Sequence, residues 1–206
     1  MPYRWTEWAQ KLQSIAQNGL TYSQNDFDTD RYRQIRLIAA EIIAEHTDHQ
    51  PEEILNYFSR DNGYATPKVD TRGVIIREDK VLLVNEKTDG LWTLPGGWAD
   101  PWATPRENVE REVHEEAGYM VKAKKLLAVY DREKQGHLPK LPYRVYKMFF
   151  HCEITGGRPT PSMETTDVRF FPLTNLPQLS LSRVNATQIR RMAELISRPE
   201  LPADFD

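Results

Sequence analysis

The feature that most constrains this chain is a helix whose two ends are both encoded locally. Thr104 suits the N-cap, Pro105 suits the first helical position, and Glu107 can return the hydrogen bond of the cap. The helix is predicted to run to Ala117 and to stop at Gly118, since glycine readily adopts the left-handed conformation that ends helices. A helix over residues 105–117 is therefore expected whatever the rest of the chain does.

The two faces of this helix differ in chemistry. Val109 and Val113 lie four apart and can face a core. Three acidic residues lie three and four apart on another side: Glu112, Glu115 and Glu116. Carboxylates at this spacing repel one another, whereas a hard cation such as Mg²⁺, which prefers oxygen ligands, would reverse the sign. The alternative is an ordinary solvated helix face, which is the commoner fate of a Glu-rich stretch.

A glycine pair precedes the helix. Gly96 and Gly97 allow the backbone to approach a ligand closely and to offer it a carbonyl oxygen. Arg111 lies four residues before Glu115 and beside Glu112, so it could orient a carboxylate. The loop and the helix together predict a ligand site.

The first part of the chain is predicted to be a small helical unit. Apolar residues recur at helical spacing from Trp5 to about Asn18, and Gly19 is expected to end this helix. Further helices are expected over residues 28–46 and from Pro51 onward. Trp5 and Trp8 are interpreted as helix-packing residues.

After a turn signal at residues 62–63, the pattern changes to apolar, β-branched runs. Residues 69–77 and 81–84 predict a hairpin around residues 78–80. The remaining predictions are strands at residues 121–131, 143–154 and 168–171, and a helix at residues 184–197. This part is therefore mixed α and β.

Composition limits the partners. A formal net charge of -3 and a pI near 6.0 give no general attraction to nucleic acid or to an anionic membrane. One cysteine, Cys152, cannot form an internal disulfide, and no run approaches the ~20 apolar residues of a membrane-spanning helix. The expectation is a reduced, soluble, cytoplasmic protein that holds any anionic ligand locally.

The stretch from Gly97 to Tyr119 resembles the signature of Nudix hydrolases. Residues 111–119 match its order of Arg, Glu, apolar, any, Glu, Glu, any, Gly and apolar. One position departs, because Ala103 stands where the family has its first signature Glu. This departure bears on the details of catalysis more than on the activity, and an inactive relative is the alternative.

The resemblance implies an α/β fold, a Nudix α/β/α sandwich with a mixed sheet, over residues 65–206, after a helical domain over residues 1–64. It implies Mg²⁺, with Mn²⁺ as a possible substitute, at one set of ligands: the Gly96 carbonyl, Glu112, Glu115 and Glu116. The predicted catalytic residues are Glu116, Arg111 and, as a general base from a loop, Glu164. Glu116 or a metal-held hydroxide could serve as base instead.

The helical extension is similar to that of bacterial CDP-choline or ADP-ribose pyrophosphatases, which implies a nucleoside diphosphate derivative as substrate and a homodimer. The candidates for base stacking or phosphate contact are Tyr64, Arg72, Trp92 and Trp98. Two alternatives stay open: a nucleotide-sensing regulator, and a hydrolase of RNA ends or of the nucleotide pool.

Overall fold

The computed structural model describes residues 4–206, which divide into two compact units. Residues 4–67 and 140–144 form the first unit, which extends past the predicted boundary at residue 64 and takes in a segment distant in sequence. Residues 1–3 of the predicted helical domain lie outside the described residues. No helix within residues 4–206 is long and apolar enough to cross a membrane.

The first unit contains three helices, as predicted: α1 (Arg4–Tyr22), α2 (Asp26–Ala44) and α3 (Pro51–Phe58). The expectation that Gly19 ends the first helix is wrong, because α1 continues to Tyr22. A Cβ atom at Gly19 would lie 2.3 Å from the ring of Tyr32 on α2. The glycine is therefore needed for close helix packing and does not act as a terminator.

The buried face of α1 is more polar than the apolar spacing predicted. Trp8 and Ile15 are about half exposed, so Trp8 does not pack into the core of this unit as interpreted, whereas Trp5 does. Gln10 donates to the carbonyl of Leu141 at 2.6 Å, and Gln17 donates to that of Gly63 at 3.1 Å. Buried glutamine amides thus fix two irregular segments of this unit to the helix, a role that periodicity cannot reveal.

The second unit, residues 68–139 and 145–206, holds eight strands and two helices. The strands are β1 (Lys68–Val74), β2 (Ile76–Arg77), β3 (Lys80–Glu86), β4 (Trp92–Thr93), β5 (Tyr119–Asp131), β6 (Val145–Gly157), β7 (Thr165–Pro172) and β8 (Asp204–Phe205), and the helices are α4 (Pro105–Ala117) and α5 (Ala186–Ser197). One sheet has the order β1-β6-β5-β8. In the other, β3 pairs with β2, β4 and β7. Parallel β1/β6 and antiparallel β5/β6 pairings make the first sheet mixed.

The predicted hairpin is confirmed. Ile76 pairs with Val81 and Arg77 with Lys80, and the two turn residues between them, Glu78 and Asp79, both have positive φ angles of 50° and 56°. Such paired positive angles are typical of two-residue hairpin turns whose twist matches that of the strands.

Alternation along β3 divides the core of this unit into two layers. Val81 and Leu83 pack with α5 residues such as Ile189, whereas Leu82 and Val84 pack with Val109 and Val113 of α4. Because successive side chains of a strand point to opposite faces, the two helices cover opposite sides of the strands. The predicted mixed α/β sandwich is thereby confirmed.

A buried histidine predicts a pH-dependent stability for this unit. His137 is almost fully buried; its Nδ1 lies 2.7 Å from the carbonyl of Leu181, and Gln188 donates to its Nε2 at 3.1 Å. Burial lowers the pKa of His137 to about 4. Since an unfolded histidine has a pKa near 6.5, the unfolded state binds more protons between these values, and we expect stability to fall as pH drops from about 6.5 to 4.

The expected contribution of His137 is about 1 to 3 kcal/mol over this window. Urea unfolding at pH 6.5 and pH 4.5 should show a smaller pH-dependent loss in His137→Gln than in the wild type. Replacement of the exposed His49 by Gln is the matched control. Equal losses in all three proteins would assign the acid sensitivity to other groups.

Candidate active site

The glycine pair of the loop after β4 lies against β1. The N–H of Thr71 donates to the carbonyl of Gly97 at 2.8 Å, and that of Gly73 donates to the carbonyl of Pro95 at 2.9 Å. Gly96, between these carbonyls, has φ 137°, and a Cβ there would lie 2.0 Å from the oxygen of Thr71. The position therefore accepts glycine alone. The two hydrogen bonds to β1 fix the loop backbone next to α4.

Helix α4 has the predicted ends. Thr104 and Glu107 form the reciprocal capping box, and Gly118 has the left-handed φ of 72°. Val113 packs against β1 so closely that a Cβ at Gly73 would lie 2.5 Å from it. This contact allows α4 to pack closely on β1, with the acidic side of the helix next to the glycine loop.

Glu116 is the most deeply placed carboxylate of the helix. It is 5% exposed, and the N–H of Gly96 donates to its Oε2 at 2.7 Å. Burial raises the pKa of Glu116 to about 8, assisted by the negative charges of Glu86 and Glu112 and opposed by Arg72 and the Gly96 N–H. The carboxylate lacks enough positive charge around it, which is the condition that a bound cation would relieve.

Glu112 approaches the same loop. A Cβ at Gly97 would lie 2.9 Å from its Oε2, so the second glycine leaves space for this carboxylate. Burial also raises the pKa of Glu112. Glu115, by contrast, has a side chain that is 54% exposed.

Arg111 joins several acidic groups of the site. Its guanidinium lies 2.8 Å from Glu112 Oε1, 2.6 Å from Glu115 Oε2 and 2.9 Å from Asp100 Oδ2. The fork of the guanidinium can hold several oxygens in fixed positions. This geometry supports an orienting role for Arg111.

Glu86 and Arg183 were not predicted from the sequence. Glu86, at the end of β3, is 6% exposed, and its carboxylate lies 3.2 Å from Nε of Arg183. The negative charge of Glu86 contributes to the raised pKa of Glu116, so the two carboxylates interact. A Glu two residues after the buried run at residues 81–84 was the available signal, because it continues the strand on which the buried residues lie.

Glu164 lies in the exposed loop before β7. Its charge acts on Glu86, and its backbone carbonyl accepts from the N–H of Lys87 at 2.9 Å. The loop therefore brings Glu164 toward the carboxylate group, although its own side chain faces solvent.

Arg72 is not available at the surface. It is 4% exposed, its Nε and Nη2 donate to Asp70 at 2.9 and 2.6 Å, and its Nη1 donates to the carbonyl of Leu94 at 3.1 Å. Lys147 donates to the same Asp70 at 2.7 Å. The structure gives Arg72 a buried ion pair and an electrostatic influence on Glu116, and it does not present the guanidinium as a phosphate contact.

The aromatic candidates are dispersed. Trp92 is half-buried and packs edge-on against Phe171 with ring centroids 4.6 Å apart. Trp98 is half exposed directly after the glycine pair, which leaves its ring accessible beside the site. Tyr64 is exposed in the first unit. Of the three aromatic candidates, Trp98 is therefore the one next in sequence to the glycine pair that contacts the carboxylates.

The residues fit a divalent cation by their chemistry. Among residues 4–206, no three His, Cys, Asp or Glu side chains already surround a common point as metal ligands. The carboxylates are instead held by the Gly96 N–H and by Arg111. Carboxylate oxygens are the ligands that Mg²⁺ prefers, and burial, which raises the pKa of both Glu112 and Glu116, disfavours their ionised forms in the absence of a cation.

Comparison with known families assigns both parts of the chain. A model described as the NUDIX domain matches residues 67–192. A second model, described as a UDP-X-like N-terminal oligomerisation domain, matches residues 3–58. Together they account for the helical unit and for most of the mixed unit.

Individual relatives agree with these matches. A putative ADP-ribose pyrophosphatase, YjhB, of Bacillus subtilis is 39% identical over 203 residues, which cover 98% of this chain and 97% of that protein. The crystal structure of an ADP-ribose pyrophosphatase from Streptococcus suis is 44% identical with a TM-score of 0.61, and covers 68% of this chain and 100% of that one. A UDP-X diphosphatase structure is 28% identical with a TM-score of 0.64, and covers 98% of both chains.

Proposed function

Because the chain belongs to the Nudix family of hydrolases, we propose that it uses Mg²⁺, or Mn²⁺ as a substitute, to hydrolyse a pyrophosphate bond in a nucleoside diphosphate linked to another group. The products are a nucleoside monophosphate and a phosphorylated group. The observation that carries this proposal is the pair of carboxylates against the glycine loop: Glu116 is buried, Glu112 is partly buried, and Gly96 leaves no room for a side chain.

In the proposed site the cation would be held by the Gly96 carbonyl and by carboxylates of α4: Glu112, Glu115 and Glu116. When bound, it neutralises phosphate charge and polarises an attacking water. Arg111 orients the carboxylates of Glu112 and Glu115, since its guanidinium forms an ion pair with each. The buried Glu86 adds negative charge on the side of Glu116.

Glu164 is the proposed general base. Its carboxylate accepts a proton from water as the water oxygen bonds to phosphorus, and the bridging P–O bond breaks with its electron pair going to the departing phosphate. An exposed carboxylate on a loop can exchange this proton with solvent afterwards. The proximity of Glu164 to Glu86 supports the role, because both lie at the end of β3 nearest the helix carboxylates.

ADP-ribose and CDP-choline are the favoured substrates, and the names of the relatives support ADP-ribose in particular. The half-exposed Trp98 offers an aromatic face on which a base can stack. We also propose a cytoplasmic location, which suits a nucleotide substrate and the single, buried Cys152.

The experiment that tests the activity compares ADP-ribose, CDP-choline and UDP-glucose with Mg²⁺, with Mn²⁺ and with chelator, and resolves the nucleoside monophosphates released. AMP or CMP release that depends on the metal is expected. UMP as the main product would favour a UDP-linked substrate, in line with the UDP-X diphosphatase relative. Release that persists in chelator would contradict the proposed metal site.

The proposed homodimer forms through α1. Trp8, Ile15 and Tyr22 are 51%, 54% and 64% exposed and follow one another at intervals of seven residues. This spacing aligns them along one side of the helix, as in helix pairs that associate. The match of residues 3–58 to an oligomerisation domain supports a second copy of this chain as the occupant.

Ile15→Glu should therefore shift the protein toward monomer, because it places a charge in the middle of the apolar line. Sedimentation velocity over a range of concentrations measures this shift. Asn56→Glu, which adds the same charge at an exposed position of α3, should leave the association unchanged. An Ile15→Glu protein that sediments like the wild type would remove α1 from the interface.

A further inference from the structure

The loop that carries Glu164 is fastened from the side of β3 by one lysine. Nζ of Lys87 donates to the carbonyls of Ser162 and Met163 at 2.9 and 2.8 Å, and the backbone N–H of Lys87 donates to the carbonyl of Glu164 at 2.9 Å. Three consecutive carbonyls of the loop thus have the same partner. Bonds from an ammonium group to carbonyls are stronger than bonds between neutral groups.

A second set of hydrogen bonds holds the loop in shape and joins it to α4. Thr165 is fully buried, and its hydroxyl donates to the carbonyl of Glu116 at 2.8 Å. The hydroxyl of Ser162 accepts from the N–H of Glu164 at 3.0 Å and from that of Thr165 at 3.1 Å. The end of α4 and the end of β3 therefore hold the loop between them.

A β-bulge near the end of β3 gives the neighbouring residues Glu86 and Lys87 different surroundings. The register of β3 with β7 shifts between Asn85 and Glu86, where Glu86 pairs with Thr165. Such a bulge redirects the side chains that follow it. Glu86 is buried and pairs with Arg183, whereas Lys87 is exposed and binds the loop.

We propose that Lys87 is a positioning residue that holds Glu164 where the attacking water is deprotonated. The proposal rests on the assignment of Glu164 as general base in the function proposed above. Lys87 needs no contact with the substrate, because its ammonium group already binds the loop. Turnover is sensitive to such placement, since an error of about 1 Å in a reacting group can cost roughly 10²-fold.

The test uses the full chain and four variants: Lys87→Ala, Lys87→Arg, Glu164→Gln and the double variant Lys87→Ala with Glu164→Gln. We expect Lys87→Ala to lower kcat roughly tenfold or more with little change in KM, because the loop moves while the substrate contacts stay. Lys87→Arg should restore most of the rate, since a guanidinium can also donate to two carbonyls. The double variant should be no slower than Glu164→Gln alone.

Amide hydrogen exchange of residues 161–166 provides a readout that does not depend on turnover. Exchange should accelerate in Lys87→Ala and stay unchanged in Lys80→Ala, which removes an exposed lysine at the opposite end of β3.

Three results would overturn the proposal: unchanged exchange in Lys87→Ala, a rate loss that multiplies with that of Glu164→Gln, or a change in KM alone. Wild-type turnover in Glu164→Gln would reject the assignment of Glu164 as general base, and with it the role of Lys87 in catalysis. Metal-dependent hydrolysis by the wild type tests the proposed activity separately, so the two failures are distinguishable.

Discussion

Glu116→Gln is expected to lower metal-dependent kcat by roughly 10² to 10³-fold, the equivalent of several kcal/mol of lost transition-state stabilisation. The amide keeps the size of the side chain and can still accept the hydrogen bond that Gly96 donates at 2.7 Å. It cannot supply the negative charge that a hard cation requires. The loss should therefore appear in turnover and in Mn²⁺ affinity measured by electron paramagnetic resonance.

The fold should survive the Glu116→Gln substitution. Ionised Glu116 is buried beside the negative charges of Glu86 and Glu112, so a neutral amide removes repulsion from the metal-free protein. We expect its thermal midpoint in chelator at pH 8 to equal or exceed that of the wild type. Glu110→Gln, on the same helix but bonded to the N–H of Ala123, is the matched control and should retain turnover. A fully active Glu116→Gln protein would contradict the carboxylate assignment.

The parts of this site that the sequence predicted are those set by short-range signals. The caps of α4 at Thr104 and Gly118 and the spacing of its glutamates depend on residues within a few turns of one another, and the structure contains them as expected. The glycine pair was visible as a motif, but the reason for Gly96 is a contact distant in sequence, because a Cβ there would lie 2.0 Å from the oxygen of Thr71.

The parts that escaped prediction depend on distant pairings. Glu86 belongs to the site because β3 lies beside β7, and its partner Arg183 lies almost a hundred residues later in the chain. Arg72 was predicted to contact phosphate because the fork of a guanidinium matches phosphate oxygens, yet in the fold it donates to the buried Asp70, which also accepts from Lys147. Periodicity also ranks glutamine as a surface residue, so it could not show that Gln10 and Gln17 are buried.

Asp70→Ala is expected to destabilise the second unit by about 3 to 5 kcal/mol, which corresponds to a fall of roughly 10 °C or more in its thermal midpoint. Asp70 accepts from Arg72 and from Lys147, and the three residues are 5%, 4% and 2% exposed. Its removal leaves two cations buried without their carboxylate, and neither can reach water without opening the sheet. Differential scanning calorimetry measures this change.

A surface pair of the same design supplies the control for Asp70→Ala. Asp167 and Arg169 are also two residues apart on a strand, but their side chains are 32% and 66% exposed. Asp167→Ala should cost less than about 1 kcal/mol, because water replaces the lost partner. Comparable losses from the two substitutions would mean that the interior of the sheet tolerates uncompensated charge.

A triple replacement separates stability from function in this cluster. Asp70→Leu, Arg72→Met and Lys147→Met together remove all three charges and keep apolar volume, so much of the lost stability should return. Turnover should fall below that of the wild type, because Arg72 is the positive charge that opposes the raised pKa of Glu116, and without it the ionised carboxylate is harder to maintain beside Glu86. Recovery of both properties would show that the buried ion pair serves the fold alone; recovery of stability without turnover would assign it to the electrostatics of the site.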